Sequence, residues 1–266
     1  ADKTLINNLF EGLMKEVDGE IVNGMAKSYK VSDDGLTYTF TLKKAKWSDG
    51  EPVTAQDFKY AWDRVGAYLY GMKSFTPDDE DMNGEIEAVQ RTFASVKGCI
   101  FEDMIVDVID DKTLRVTLEK EVPDFLAEIA KPIYMPIRQD IAEYESDVRW
   151  DEYVPRFLCN GPFQLVYQEK PTMIDIVKNE KYYDADNIDL ECIRFYMIDN
   201  QKIASEAIEK GDLDINLTLE KFECNSAKVK SYLASKLSTT YAYINDENQG
   251  VLANVNVRKA ISLVIN

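Results

Sequence analysis

Apolar and polar residues alternate along several stretches of the chain, which is the period of a half-buried strand. In Leu36-Thr-Tyr-Thr-Phe-Thr-Leu42 the apolar side chains share one face and the threonines share the other, so this stretch predicts a strand. In the strand predicted at 113–118, Leu114, Val116 and Leu118 form the inward set. The other predicted strands are 104–109, 163–168, 172–178, 191–198, 213–218 and 238–245.

Apolar residues three and four positions apart predict helices between these strands. In "WSDGEPVTAQDFKYAW" (47–62), Ser48-Asp49-Gly50 is typical of a turn. Thr54 with Asp57 three residues later resembles a capping box. We therefore expect a strand that ends at Trp47 and a helix that starts at Thr54, followed by a largely solvated loop over 66–98. Further helices are predicted from about Pro123 to Pro132, at 136–145, at 200–210 and, with Asn256 as N-cap, at 257–265.

This mixture of hairpins and helices predicts a mixed α/β (α+β) fold rather than a doubly wound sheet. The apolar stripe formed by Val257, Ala260, Ile261 and Val264 is still unfinished where the sequence ends. We therefore expect this chain to be a fragment of a longer protein.

The net charge of −17, from 31 basic and 48 acidic residues, disfavours negatively charged partners. Nucleic-acid binding needs clustered lysine and arginine, so we expect no nucleic-acid partner. Adhesion to an anionic membrane is disfavoured for the same reason. No apolar run approaches the roughly 20 residues of a membrane helix, and no signal peptide is visible.

The sequence contains no histidine, which excludes the usual Ser-His-Asp and Cys-His catalytic sites and the commonest zinc ligand. The acidic pairs at 33–34, 78–79 and 110–111 fall in predicted turns, where solvated carboxylates cap the backbone rather than transfer protons. No nucleotide-binding, nucleophile-elbow or calcium-loop motif occurs. We expect no cofactor, no metal and no enzyme activity.

The sequence leaves open whether its cysteines form disulfides and what role its three pairs of tyrosines have. Cys99, Cys159, Cys192 and Cys224 form no CxxC motif, so buried free thiols or one or two disulfides all fit the sequence. The tyrosine pairs fit either core packing with a solvated hydroxyl or an aromatic ligand cleft. These pairs are Tyr68 and Tyr70, Tyr182 and Tyr183, and Tyr241 and Tyr243.

Seven blocks in one order carry a resemblance that covers nearly the whole chain. They are "NLFEGL" (8–13), "GMAKSYKVSDDGLTYTFTLKKAKWSDGEPVTAQDFKYAWDR" (24–64), "IDDKTLRVTLEKEVPDF" (109–125), "NGPFQL" (160–165), "VKNEKYYDADNIDLECIRFYMI" (177–198), "GDLDIN" (211–216) and "VNVRKAISLVI" (255–265). In these blocks the chain resembles the extracellular solute-binding proteins of family 5, the oligopeptide and dipeptide receptors of ABC importers.

The resemblance implies a class II periplasmic-binding-protein-like lobe. Residues 1–10 and 160–245 would form its main domain, 11–159 the extra domain typical of the family, and 246–266 the start of a second lobe that is otherwise missing. The strand–turn–helix unit around Thr54 would then be scaffold. The implied ligand-binding residues are Tyr68, Leu217, Thr218, Leu219, Lys236, Ser238 and Tyr241.

The function implied by the resemblance is capture of a peptide by backbone pairing between two lobes. A monomeric receptor, at the cell surface with a lipid anchor or in the periplasm, would then deliver the ligand to an ABC permease. The alternatives are the same fold with a non-peptide solute such as a nickel chelate or a sugar, and a carboxylate-based hydrolase.

Overall fold

The computed structural model describes residues 3–73, 104–143, 154–169, 172–216 and 255–264, of which 67–73, 104, 156 and 260–264 are described by their backbone alone. The chain divides into two compact units, Ala1–Ile198 and Asp199–Asn266. Each unit is described by itself.

The first unit contains a four-stranded antiparallel sheet in the order β3-β4-β6-β5. Strand β4 lies in the centre, where Phe40 pairs with Leu114 of β6 and with Tyr29 of β3. The inward residues of β6 are fully or almost fully buried, as the alternation predicted. A short hairpin of β1 and β2 precedes this sheet. The strands are β1 (Met14–Val17), β2 (Glu20–Asn23), β3 (Ala26–Val31), β4 (Thr37–Leu42), β5 (Met104–Asp110) and β6 (Thr113–Leu118).

Helix α2 (Ala55–Lys73) packs on this sheet and completes a first core. Its side chains Phe58 and Trp62 are buried with Trp47 and Phe125. The Trp62 indole Nε1 donates to the carbonyl of Tyr134 at 2.7 Å, and the two rings meet edge to face with centroids 5.5 Å apart. The polar atom of this large core side chain is thereby satisfied inside the core.

A second, smaller core lies under a three-stranded antiparallel sheet in the order β7-β8-β9. Strands β7 (Phe163–Glu169), β8 (Met173–Lys178) and β9 (Cys192–Tyr196) confirm the predicted hairpin and the strand that follows it. Leu9 of helix α1 (Lys3–Leu9) is buried in this core with Cys159, Phe163 and Ile176.

Several predicted boundaries in the first unit are wrong. No strand ends at Trp47, because β4 ends at Leu42 and only an isolated bridge joins Lys46 to Pro52. Helix α2 runs to Lys73, beyond the predicted loop boundary at 66. The predicted helices after Pro123 and at 136–145 are single turns, α3 (Phe125–Glu128) and α4 (Gln139–Ala142).

The cause of the short α3 is visible in the backbone on either side of it. Asp124 before it has a left-handed φ of 58°, and the chain continues into a 3-10 turn at Pro132–Tyr134. An apolar run of this length fits a helix and a 3-10 turn equally, so periodicity alone does not separate them.

The second unit contains two helices within the described residues. In α5 (Gln201–Lys210) the Asn200 side chain caps the first turn, and Gly211, with a φ of 83°, ends the helix as predicted. Helix α6 (Val255–Val264) confirms the predicted helix but begins before Asn256, which is therefore not its N-cap. Residues 213–216 form no strand. Among the described helices, none is both long and apolar enough to cross a membrane.

Candidate functional site

The residues predicted to bind ligand fall mostly outside the described part of the chain. Tyr68 lies in α2, where the structure describes its backbone but not its side chain. Tyr70 has the same status, and the Tyr241 and Tyr243 pair is not described. The other predicted ligand-binding residues outside the described ranges are Leu217, Thr218, Leu219, Lys236 and Ser238. These assignments stay predictions.

A polar groove lies at the start of α2, lined by Glu51, Thr54, Asp57, Arg138 and Glu143 among others. Its arginine is held by two carboxylates outside α2. The Arg138 guanidinium donates to Asp140 at 2.9 Å through Nε, and a second nitrogen donates to Asp49. Hydrogen bonding to Asp140, then to Asp49, raises the pKa of Arg138 further. The guanidinium is thus engaged within the protein, and the groove joins two elements rather than presenting a free cation.

Asp57 is the buried carboxylate of this groove, and it accepts hydrogen bonds from Thr54 and Trp47. Its Oδ2 accepts from the Thr54 backbone N–H at 2.8 Å, the Thr54 hydroxyl at 3.2 Å and the Trp47 indole at 3.1 Å. Burial raises the pKa of Asp57, and these hydrogen bonds oppose the rise. One half of the capping box predicted from the sequence is present, because the Asp57 side chain accepts from the Thr54 N–H. The Asp57 N–H donates to the Thr54 carbonyl at 3.3 Å rather than to the Thr54 hydroxyl. A carboxylate with this set of donors acts as a helix cap, not as a general acid.

A more extensive polar cluster lies where the chain crosses between the two cores. Glu11 is 4% exposed and Asn160 is fully buried. The Glu11 backbone N–H donates to Asn160 Oδ1 at 3.1 Å, and Asn160 Nδ2 donates back to the Glu11 carbonyl at 2.9 Å. One amide side chain therefore pairs with both backbone groups of a residue 149 positions away.

Gly161 brings the two crossing segments into direct backbone contact. Its N–H donates to the Leu9 carbonyl at 2.9 Å. A Cβ at this position would lie 2.7 Å from the carbonyl carbon of Leu9 and 2.8 Å from the Phe10 nitrogen. Only glycine allows this approach, because those atoms are backbone and cannot move aside.

The Glu11 side chain binds both members of one tyrosine pair. Tyr183 donates to Oε1 at 2.6 Å and Tyr182 donates to Oε2. Lys43 Nζ donates to the Tyr183 hydroxyl at 2.9 Å, and Lys15 Nζ lies 3.4 Å from Oε1. We call Glu11, Asn160, Tyr182, Tyr183 and Lys43 the joint cluster.

The protonation of the joint cluster follows from its burial. Burial first, and then the charge of Glu11, raises the pKa of Tyr182 and of Tyr183 above the ordinary value of 10. Burial likewise lowers the pKa of Lys43. Both phenols therefore keep their protons and act as donors to the carboxylate.

Sequence reasoning identified the tyrosine pair but missed its acceptor. Of its two alternatives, packing with a solvated hydroxyl and a ligand cleft, neither describes the hydroxyls, which point at a buried carboxylate. A signal was present: Glu11 stands as a single acid inside the apolar run "LFEGLM". An acid in such a position needs buried partners.

Two cysteines lie within the described residues, and both are free thiols. Cys159 is buried and Cys192 is exposed. Burial raises the pKa of Cys159 to about 12, so its thiol is not a nucleophile at neutral pH. Cys99 and Cys224 lie outside the described residues. Over the described ranges, no group of three or more acidic or cysteine side chains is arranged to hold a metal ion.

Comparison with known proteins assigns this fold to a family. The family model of the bacterial extracellular solute-binding proteins, family 5 Middle, matches residues 20–266. The chain belongs to solute-binding protein family 5. This confirms the family predicted from the seven sequence blocks.

Similar proteins of family 5 include two from Bacillus subtilis. The oligopeptide-binding protein OppA is 33% identical over 276 residues, which cover 97% of this chain and 47% of OppA. The dipeptide-binding protein DppE is 30% identical over 262 residues, covering 98% of this chain and 47% of DppE. The chain therefore spans about half the length of these relatives.

Among solved structures, Listeria monocytogenes OppA bound to peptide is similar to this chain, with a TM-score of 0.62 and 26% identity. The similarity covers 80% of this chain and 42% of that chain. It confirms the mixed α/β, periplasmic-binding-protein-like fold.

Proposed function

We propose that this chain is part of a receptor that captures peptides outside the cell and delivers them to an ABC permease. The observation that carries the proposal is the match, over nearly all of this chain, to relatives named as peptide-binding proteins. A structural neighbour is solved with a peptide bound. The receptor binds without catalysis, acts as a monomer, and works at the cell surface with a lipid anchor or in the periplasm.

The proposed division into domains follows the two cores. Residues 1–10 and 160–245 form the main domain, residues 11–159 form the extra domain, and 246–266 open a second lobe. Two separate clusters of buried residues support the first boundary. One draws on residues from Leu13 to Tyr134, and the other combines Leu9 with Cys159 to Ile176.

The proposed ligand contacts come from both domains. Leu217, Thr218 and Leu219 offer backbone donors and acceptors to an extended peptide, which gives affinity without selecting side chains. Lys236, Ser238 and Tyr241 form a second wall of the site. Tyr68 reaches it from the extra domain.

Binding of defined peptides by the full-length protein tests this proposal. The protein is purified under native conditions, and its bound ligand is identified by native mass spectrometry. Unfolded and refolded protein, free of ligand, is then titrated with tri- to pentapeptides in a calorimeter. We expect micromolar or tighter binding, and recovery of peptides as the copurified ligand.

A matched ligand separates backbone pairing from other contacts. An N-methylated analogue keeps the side chains of the peptide but lacks backbone donors. We expect it to bind at least tenfold more weakly than the parent peptide. Equal affinity of the two ligands would contradict backbone capture. Copurification of a metal chelate or a sugar, with no peptide binding, would replace the peptide with that solute.

A further inference from the structure

Within the part of the chain that the structure describes, two adjacent crossings of the chain connect the two cores. On the first crossing, Leu9 lies in the smaller core and Leu13 in the larger one, with Glu11 between them. On the return crossing, Val154 and Phe157 already pack against the smaller core, Leu158 packs against the larger one, and Cys159 lies in the smaller one. Hydrogen bonds between Glu11 and Asn160 tie the crossings together.

The joint cluster adds a third segment to this connection. Tyr182 and Tyr183 lie in the turn between β8 and β9, and both donate to Glu11. Lys43, just after β4, donates to Tyr183. The Glu11 carboxylate is thus bonded directly to the connection between β8 and β9 and, through Tyr183, to the residue that follows β4.

The negative charge of Glu11, and not only the shape of its side chain, strengthens its hydrogen bonds to the two phenols. A carboxylate offers an acceptor oxygen to each phenol, and hydrogen bonds to an ionised acceptor are about twice as strong as neutral ones. Glutamine has the same size but only one acceptor oxygen, and its amide group would face the second phenol. Burying a carboxylate is costly unless it is fully bonded, so a neutral residue would serve better if packing were the only requirement.

We propose that Glu11 is a positioning residue, whose charge holds the 11–159 region at a fixed orientation to the sheet of β7, β8 and β9. This rests on the proposed function, because Tyr68, one of the proposed ligand contacts, belongs to the 11–159 region. A looser joint lets this region move relative to that sheet and weakens the binding of a peptide that Tyr68 contacts.

The chain offers a matched control for this role. Glu128 accepts from the Tyr134 hydroxyl at 3.0 Å and pairs with Lys131, and all three belong to the region of the larger core. The variants E11Q and E128Q therefore each neutralise a carboxylate bonded to a tyrosine and near a lysine. Only E11Q acts on the contact between the two cores.

The experiment compares hydrogen exchange and peptide affinity in full-length wild type, E11Q and E128Q. We expect E11Q to speed exchange about tenfold in segments 9–13, 158–163 and 179–184, with β4 and β6 unchanged, and to weaken peptide binding about tenfold. E128Q should leave both quantities at the wild-type level. Y182F and Y183F, which each remove one donor and keep the ring, should give the same pattern in smaller degree.

Three results would overturn the proposal. The first is hydrogen exchange in these segments of E11Q at the same rate as in the wild type. The second is an equal effect of E128Q on the same segments. The third is faster exchange in E11Q with unchanged peptide affinity, which would leave Glu11 with a stabilising role only. If the wild type binds no peptide, the proposed function fails, while the exchange data still decide whether Glu11 holds the joint. If E11Q does not fold, Y182F and Y183F decide the question.

Discussion

Replacing Asp57 by alanine should destabilise the larger core through two identifiable losses. The Thr54 N–H at the start of α2 loses its acceptor, which costs about 1 kcal/mol for a helix cap. The Trp47 indole N–H, in a side chain only 1% exposed, is left without the carboxylate that accepts from it. An unsatisfied buried donor costs about 1–3 kcal/mol. We therefore expect the free energy of unfolding to fall by about 2–4 kcal/mol.

Urea unfolding followed by tryptophan fluorescence measures this loss, since Trp47 and Trp62 both lie in the larger core. The control is Asp63→Ala on the same helix, where the carboxylate is 56% exposed and pairs with Lys59. A surface pair of this kind contributes less than about 1 kcal/mol. The double variant with Trp47→Phe isolates the indole bond, with an expected coupling of about 1 kcal/mol or more.

The pH dependence of the same residue has a definite sign. Burial places the pKa of Asp57 above the ordinary value of 3.8, so the folded state holds this proton to higher pH than the unfolded state. The contribution of Asp57 to the free energy of unfolding therefore falls as pH rises from about 3.8 to the folded pKa, and is constant outside that window. D57N should remove this dependence. A loss below about 0.5 kcal/mol in D57A, or equal pH profiles of wild type and D57N, would refute the reasoning.

Three further outcomes are expected. Gly161→Ala should lower the free energy of unfolding in urea by about 1–3 kcal/mol, because its Cβ would lie 2.7 Å from the backbone of Leu9. An unchanged free energy of unfolding would contradict the close approach. Iodoacetamide at pH 7 should label Cys192 within the folded protein and Cys159 only after unfolding, as read by peptide mapping, since burial raises the pKa of Cys159 to about 12. Asn200→Ala should lower stability by about 1 kcal/mol through the lost cap of α5, and Asn200→Asp should retain it.

Strands β4, β6 and β8 were predictable because one face of each carries its most buried side chains. Burial alternates along the whole of β6, over residues 39–42 of β4 and over residues 173–177 of β8, so the period of two is directly visible there. Strand β3 was not predicted, and only Ala26 of its side chains is buried. The capping of α2 by Asp57 was predictable for a similar reason, since the partners are three residues apart. The sequence pattern was sufficient to predict a contact wherever the two partners are near in sequence.

The joint cluster could not be predicted in the same way. Tyr182 and Glu11 are 171 positions apart, and nothing in either local sequence fixes their contact. The single-turn helices were overestimated because their apolar residues contact the larger core from 3-10 and extended backbone as well as from helix. Tertiary contacts, rather than propensity, decide these cases.

The paired crossings at Glu11 and Asn160 also affect the order of folding and the history of the chain. The intervening 149-residue separation must close before the two backbones can bond, so we expect this contact to form late, after both sheets. In the proposed division into domains, the stretch leaves and re-enters the smaller core at adjacent points, as an insertion does. Its length can change by whole loops during evolution without displacing β7, β8 or β9.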